Sequence, residues 1–215
     1  GGVVTKTIGL HPVVNVAGPK TKFLRHHESG ALSMNKGRQG VLHSSWNWEL
    51  ISDKPLDWWV PRLEAIKRAW PNRVLVASIM AGSGSDKELE NWQVLTRAVQ
   101  DAGADAIELN FSCPHMDRVD MGANVGKDKV LCSVSTQAVK EVARIPVWVK
   151  LTPATADIAE EAGATFLGGA DAISSTNTFP SVPLLDPETL EFEVNVDGYV
   201  SSGGLGGPAI LPQSL

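Results

Sequence analysis

Cysteine is scarce in this chain of 215 residues: Cys113 and Cys132 are the only two. Their spacing builds neither a disulfide-dense scaffold nor a zinc knuckle, and two thiols cannot ligate an iron–sulfur cluster alone. A reducing cytoplasm is the simplest compartment. No apolar run approaches the ~18 residues of a membrane helix, and Gly1 to Ile8 carries no signal-peptide pattern. Positive charge is short too. The net charge is −5 with histidine neutral, and no long basic run offsets it, which argues against a nucleic-acid surface or an anionic membrane. No Gly-x-Gly-x-x-Gly follows a strand and opens a helix, so a Rossmann nucleotide site is unsupported. His11, His26, His27 and His43 show no metal-ligand pattern. The absence of an initiating methionine suggests an incomplete chain.

What the chain does contain is an alternation of strand and helix signals. Val3 and Val4 lead into Thr5-Lys6-Thr7-Ile8, a short strand whose end carries one lysine. Pro12 to Gly40 is rich in Gly, Lys, Arg and His and reads as irregular. In Ser44 to Ser52, Trp46 and Trp48 flank Asn47, an arrangement that suits core packing or a planar ligand. A helix from Pro55 to about Trp70 is predicted by Trp59, Leu63, Ile66 and Trp70 at intervals of three and four, with its tryptophans read as core. Val74 to Met80 is apolar enough for a strand covered on both faces. Ser85 and Asp86 then cap a helix bearing Leu89, Trp92, Leu95 and Val99 on one face, with Gly103 beyond its end. A strand from Ala106 to Phe111 follows, and Met116 to Lys127 has loop composition. A helix over about Asp128 to Ala143 buries Cys132 on its apolar side, and a strand spans Pro146 to Leu151. A helix near Thr155 to Leu167 comes next.

Two stretches echo each other. Ala102-Gly103-Ala104-Asp105-Ala106-Ile107 is followed by Asn110, and Gly168-Gly169-Ala170-Asp171-Ala172-Ile173 is followed by Asn177. Repeated βα units with right-handed crossovers predict a parallel sheet, and their short, even spacing favours a barrel over a doubly wound sheet. The whole chain reads as one domain, 1–215, with an inserted hairpin at about 179–199 where Leu190, Phe192, Val194 and Val196 alternate with polar residues. Ser202 to Pro208 is a glycine-rich loop, which either approaches a ligand closely or serves as a plain turn.

Chemistry concentrates in Asp105 to Arg118. Pro114 ends the strand there, leaving Asn110, Ser112, Cys113 and His115 at its carboxyl end, the address of active sites in parallel α/β folds. Cys113 is a reactive thiol or a small buried hydrophobe in a turn. Glu108 reads as a strand residue near a loop, and Arg118 and Asp120 as parts of a solvated one.

Five blocks, Thr5-Lys6-Thr7, Asn47 to Ser52, Glu108 to His115, Val149 to Pro153 and Ser175 to Thr178, together resemble the flavin barrel of the dihydropyrimidine and dihydroorotate dehydrogenase family. Asn-x-Glu-Leu-Ile-Ser and Cys-Pro-His look like the dihydropyrimidine type, since the dihydroorotate type usually has Cys-Pro-Asn. The resemblance implies a TIM (β/α)8 barrel and an FMN enzyme that reduces the C5=C6 bond of a pyrimidine such as uracil or thymine. It implies FMN contacts from Lys6, Thr7, Lys150 and Gly207. It also implies ring contacts from Asn47, Glu49, Asn110, Ser112, Asn177 and Thr178, and proton donation by Cys113. Alternatives are a dihydroorotate dehydrogenase and a non-catalytic interaction fragment. The chain is short for a barrel of about 250 residues. It starts at what looks like the family's second strand and stops after the glycine loop, so the first and last strands are expected to be missing and FMN binding by this polypeptide alone weak or absent. NAD(P)H and iron–sulfur clusters are expected only through another domain or an electron-transfer subunit, in a cytoplasmic homo-oligomer.

Overall fold

The predicted alternation of apolar strands and capped helices is present in the computed structural model, which describes residues 1–13, 21–26, 32–34, 40–113, 119–182, 188–190 and 203–215, without the side chains of 32–34. Its strands and helices run, in chain order, β1 Gly2–Val4, β2 Thr21–His26, β3 Leu32–Met34, β4 Val41–Asn47, α1 Leu56–Ala69, β5 Val74–Ile79 and α2 Asp86–Asp101. They continue with β6 Ala106–Phe111, α3 Lys129–Lys140, β7 Val147–Leu151, α4 Ile158–Leu167, β8 Ala172–Ser174, β9 Phe179–Ser181, β10 Gly203–Gly206 and the single turn α5 Leu211–Ser214. The contacts separate the chain into two units, Gly1–Val14 with Leu50–Thr176, and Asn15–Glu49 with Asn177–Leu215.

The first unit is a parallel α/β layer. Its sheet has the order β1-β5-β6-β7-β8 with every pairing parallel. Helix starts are fixed by side-chain caps: Ser85 Oγ accepts from Glu88 N, Asp128 Oδ1 from Val130 N and Leu131 N, and Asp157 Oδ1 from Ala159 N. Each such cap stabilises its helix by about 1 kcal/mol. One sheet face carries Leu75, Ala77, Ile79, Ile107, Leu109, Phe111, Val147, Val149 and Leu151, none more than 1% exposed. These residues form one core with Leu63, Trp92, Leu95, Val99 and Val139 from the helices. Burial of each large side chain contributes roughly 1.5–3 kcal/mol. Because strand side chains alternate, the register puts Ser78, Glu108, Asn110, Lys150 and Ser174 on the opposite face. One face is therefore structural and the other polar.

The two sequence echoes are one device used twice. Gly103 and Gly169 both have φ +96°, and a Cβ at either would press on the stem of a helix lysine, Lys67 or Lys140. Two residues later, Asp105 accepts from Lys67 Nζ and from Leu75 N at 2.7 Å, while Asp171 accepts from Lys140 Nζ at 2.8 Å and from Val147 N at 2.7 Å. Each aspartate thus ties its own strand's start to the start of the preceding strand. Burial pushes both carboxyls up, but the hydrogen bonds from lysine and backbone outweigh it and hold them below the usual carboxylate value.

The second unit is an antiparallel sheet in the order β3-β2-β4-β10-β9. Several sequence expectations are corrected by it. Pro12 to Gly40, read as irregular, contains β2 and β3, whose pattern hid because only Leu24 of β2 is buried while Phe23 is half exposed. The glycine-rich Gly203–Gly206 is a strand, not a loop. Its glycines are needed where a Cβ at Gly203 would overlap the Trp46 ring and one at Gly204 the Thr178 hydroxyl. Trp46, 1% exposed, is core, with Nε1 donating to Ser181 O at 3.1 Å. In the first unit, Met116 to Lys127 is not all loop, since Gly122–Lys127 is a 3-10 helix. Trp70, expected in the core, is 62% exposed. It stands at the C-cap of α1, where its backbone leaves the helical conformation at φ −134° and ψ 60° while its N–H donates to Ile66 O. Phe192, Val194 and Val196 of the expected hairpin lie outside the described residues.

Candidate functional site

In the first unit the polar residues collect at the carboxyl ends of parallel strands, where the backbone N–H and C=O groups of the sheet give out and side chains take over. Thr7 follows β1, Ser78 is next to last in β5, Asn110 is next to last in β6, and Ser112 and Cys113 follow β6. All five are 6% exposed or less. They are buried polar groups that must be satisfied. Asn110 does most of this work: its Oδ1 accepts from Ser112 N at 3.1 Å and Ser112 Oγ at 2.7 Å, and its Nδ2 donates to Thr7 Oγ1 at 2.8 Å. Thr7 Oγ1 in turn bonds Ser78 Oγ at 2.9 Å. The bond from a backbone N–H fixes which end of the amide is oxygen. With both acceptor sites of Oδ1 used, Asn110 has one further N–H to give, so it suits a carbonyl oxygen of a ligand.

Lys150 shares this polar face, opposite Asn110 in register. Its Nζ donates to Glu108 Oε1 at 2.8 Å, with side-chain exposures of 22% and 5%. Sequence reasoning left Glu108 as a mere strand residue. The signal that could have found it is parity: in a strand otherwise wholly apolar apart from Asn110, Glu108 lies two residues before that asparagine and so on its face. Lys6 is exposed beside buried Thr7.

Cys113 is buried and its carbonyl accepts from Ala123 N at 3.0 Å. Beyond residues 114–118, Asp120 accepts from Ser83 N through its backbone oxygen at 2.9 Å and from Gly84 N through Oδ2 at 3.0 Å. Asp120, expected in a solvated loop, is therefore an anchor, and Cys113 is itself tied to the 3-10 helix at Ala123. His115 and Arg118 lie outside the described residues. Cys132 is fully buried and donates to Val125 O at 3.2 Å, and burial, then Glu161 and Asp128, push its thiol up to about 12. It remains protonated and inert.

The second unit holds the other predicted contacts. Asn47 ends β4, where its Oδ1 accepts from Glu49 N at 3.2 Å and its Nδ2 donates to Gly204 O at 3.3 Å. Asn177 repeats the pattern, its Oδ1 accepting from Thr178 N at 2.9 Å. In both, as in Asn110, a backbone N–H one or two residues on holds the amide oxygen. Thr178 packs on Gly204 and Gly206. Gly207 has φ +91° and would bring a Cβ to 3.3 Å from Ser44 Cα, so only glycine fits that turn. Among the described residues no group of three His, Cys, Asp or Glu could hold a metal, and no helix is long and apolar enough to cross a membrane.

Residues 59–215 match the family model described as dihydroorotate dehydrogenase. The chain is 36% identical over its whole length to an Arabidopsis thaliana protein named dihydropyrimidine dehydrogenase (NADP(+)), chloroplastic, of which it covers 49%. It is 35% identical, again over its whole length, to the NAD-dependent dihydropyrimidine dehydrogenase subunit PreA of Escherichia coli (strain K12), covering 48% of it. Identity is 39% over 66% of the chain to a Methanosarcina acetivorans protein named dihydroorotate dehydrogenase B (NAD(+)), catalytic subunit, 42% of which is covered. The chain spans about half the length of the first two relatives.

Proposed function

We propose, starting from a chain that belongs to the dihydroorotate dehydrogenase family, that it forms part of an FMN-dependent oxidoreductase that reduces the C5=C6 bond of a pyrimidine base. The observation that carries this reading is the Thr7–Asn110–Ser112 network next to Cys113: an oriented amide donor and, three residues on, a thiol at the end of one strand. The full-length similarity to two dihydropyrimidine dehydrogenases supports it.

The residues present fit a flavin. A partly buried lysine cation held by a carboxylate, a threonine hydroxyl at a strand end and a glycine turn open to close approach are groups that such a ring can use. Lys6, Thr7, Lys150 and Gly207 would hold FMN, which when bound supplies the hydride that reaches C6. The chain's own work is positioning and proton transfer. Asn110 gives its remaining N–H to a ring carbonyl while Ser112 keeps the amide from turning. Asn47, Glu49, Asn177 and Thr178 supply further ring contacts. Cys113 holds a proton on Sγ and gives it to C5, so the ring gains a hydride at one carbon and a proton at the next; the thiolate left behind is reprotonated from solvent. NAD(P)H and iron–sulfur clusters on another domain or an electron-transfer subunit would supply the electrons, in keeping with the E. coli relative's being named a subunit. The assembly is a cytoplasmic homo-oligomer.

The Methanosarcina relative favours a second reading, dihydroorotate oxidation. Cys113-Pro114-His115 weighs toward the first. Full-length protein titrated with uracil and with orotate while flavin absorbance is recorded separates them. Bound flavin whose spectrum responds at lower uracil than orotate concentration supports pyrimidine reduction. The reverse order supports the second reading, and absence of flavin sinks both.

A further inference from the structure

Glu108 sits in the middle of β6, a strand buried at every residue. It is 4% exposed and belongs to the polar face, two residues before Asn110. Its register partners are Ser78 and Trp148, whereas Lys150 stands opposite Asn110, so the Glu108–Lys150 bond runs diagonally between neighbouring strands. The setting differs from that of five other ion pairs among the described residues. Lys54–Asp53, Lys129–Glu160 and Arg144–Asp101 join side chains that are 45% exposed or more. Lys67–Asp105 and Lys140–Asp171 stand at strand starts, where the carboxylates also hold backbone N–H groups. A buried charge pair rarely stabilises a fold more than apolar residues of the same size would. This pair occupies the polar face, beside the amide that the network orients.

We infer that Glu108 is a positioning residue for Lys150: its carboxylate holds the ammonium beside Asn110 and sets the net charge that this face presents to a bound ring. The lysine stem is flexible, so without the carboxylate the ammonium has no fixed address. With it, the pair is near neutral, and the face favours a ring that gains negative charge less than a lone lysine would. The flavin half of this inference rests on the function proposed above; the geometric half rests on this chain alone.

Full-length wild type, Glu108→Gln and Glu108→Asp are compared in two ways. In flavin-free protein, acetic anhydride labelling is read residue by residue by mass spectrometry. Lys150 is expected to react about tenfold faster in Glu108→Gln than in wild type, with Glu108→Asp between them and Lys129 unchanged throughout; equal Lys150 rates overturn the inference. In flavin-loaded protein, the midpoint potential of Glu108→Gln is expected to rise by at least a tenfold change in the ratio of reduced to oxidised binding, about 30 mV for a two-electron couple. An unchanged potential with flavin bound overturns the charge-setting role. If wild type binds no flavin, the proposed function falls, and the labelling result alone decides whether Glu108 positions Lys150. If Glu108→Gln does not fold, Glu108→Asp carries both measurements, and wild-type behaviour in both overturns the inference.

Discussion

The two cysteines stand at different places in the fold, and the proposed function gives them different roles. Cys132 is fully buried on α3, and burial pushes its thiol up to about 12, away from proton transfer near neutrality. Cys113 stands at the carboxyl end of β6, directly after the oriented Asn110–Ser112 pair. Cys113→Ala is expected to lower turnover by about 10²–10⁴-fold, the usual loss when a placed general acid is removed, while substrate binding followed by flavin absorbance stays within a few fold. Cys132→Ala should leave turnover in place. Equal losses in the two variants would show that neither thiol is the proton donor. Asn110, Ser112 and Cys113 were legible in the sequence because they are adjacent in it and follow an apolar strand. Glu108 was not: its partner Lys150 lies 42 residues away, and only register brings them together. Asp120 was illegible for the same reason, since its partners Ser83 and Gly84 belong to a different strand–helix connection.

Among the elements, those with local causes were read closely. Helices α2, α3 and α4 start beside the residues that cap them, and β5, β6 and β7 carry apolar runs that need no partner to be recognised. Elements defined by non-local pairing were missed. β2 shows no apolar alternation, and β10 is a run of small residues whose strand form is set by β4 and β9 on either side. The repeated aspartates show how a sequence echo turns into energy. Asp105 and Asp171 are each partly exposed, at 37% and 44% of their side chains, so the ion pairs themselves contribute little. The backbone N–H each holds matters more: Asp105→Ala or Asp171→Ala should cost about 1–3 kcal/mol, and the two losses should add, since the two sites share no partner. The pH dependence has a definite sign. Both folded carboxyls lie below the ordinary 3.8, so their contribution is complete above that value and disappears as pH falls through the lower folded values. Urea melts of wild type from pH 6 to pH 2.5 should therefore show a decline that flattens in the double variant. A decline of the same steepness would assign acid sensitivity to other groups.

For the molecule as a whole, the sequence conveyed the class of fold, since apolar runs, caps and the Asn-bearing strand ends all agree, and the candidate residues Asn110, Ser112 and Cys113 stand at the end of a parallel strand, as expected. The described strands of the first unit make an open sheet of five, with β1 at one margin. Among the described residues β1 pairs only with β5. Its Val3 and Val4 are about half exposed, and Val74 and Trp70 nearby are 48% and 62% exposed. The consequence is colloidal. A short apolar strand with one unpaired side is a template for addition of another strand, so this polypeptide, prepared by itself, should grow larger species as its concentration rises. Light scattering across a hundredfold dilution series measures this, and Val3→Lys, which puts a charge on that margin, should shift the onset to higher concentration. If the onset does not move, association proceeds through another surface and the margin of β1 is protected by some other means. Gly2–Val4, on the opposite edge of the sheet from β8, is thus expected to set how well the chain can be handled in solution.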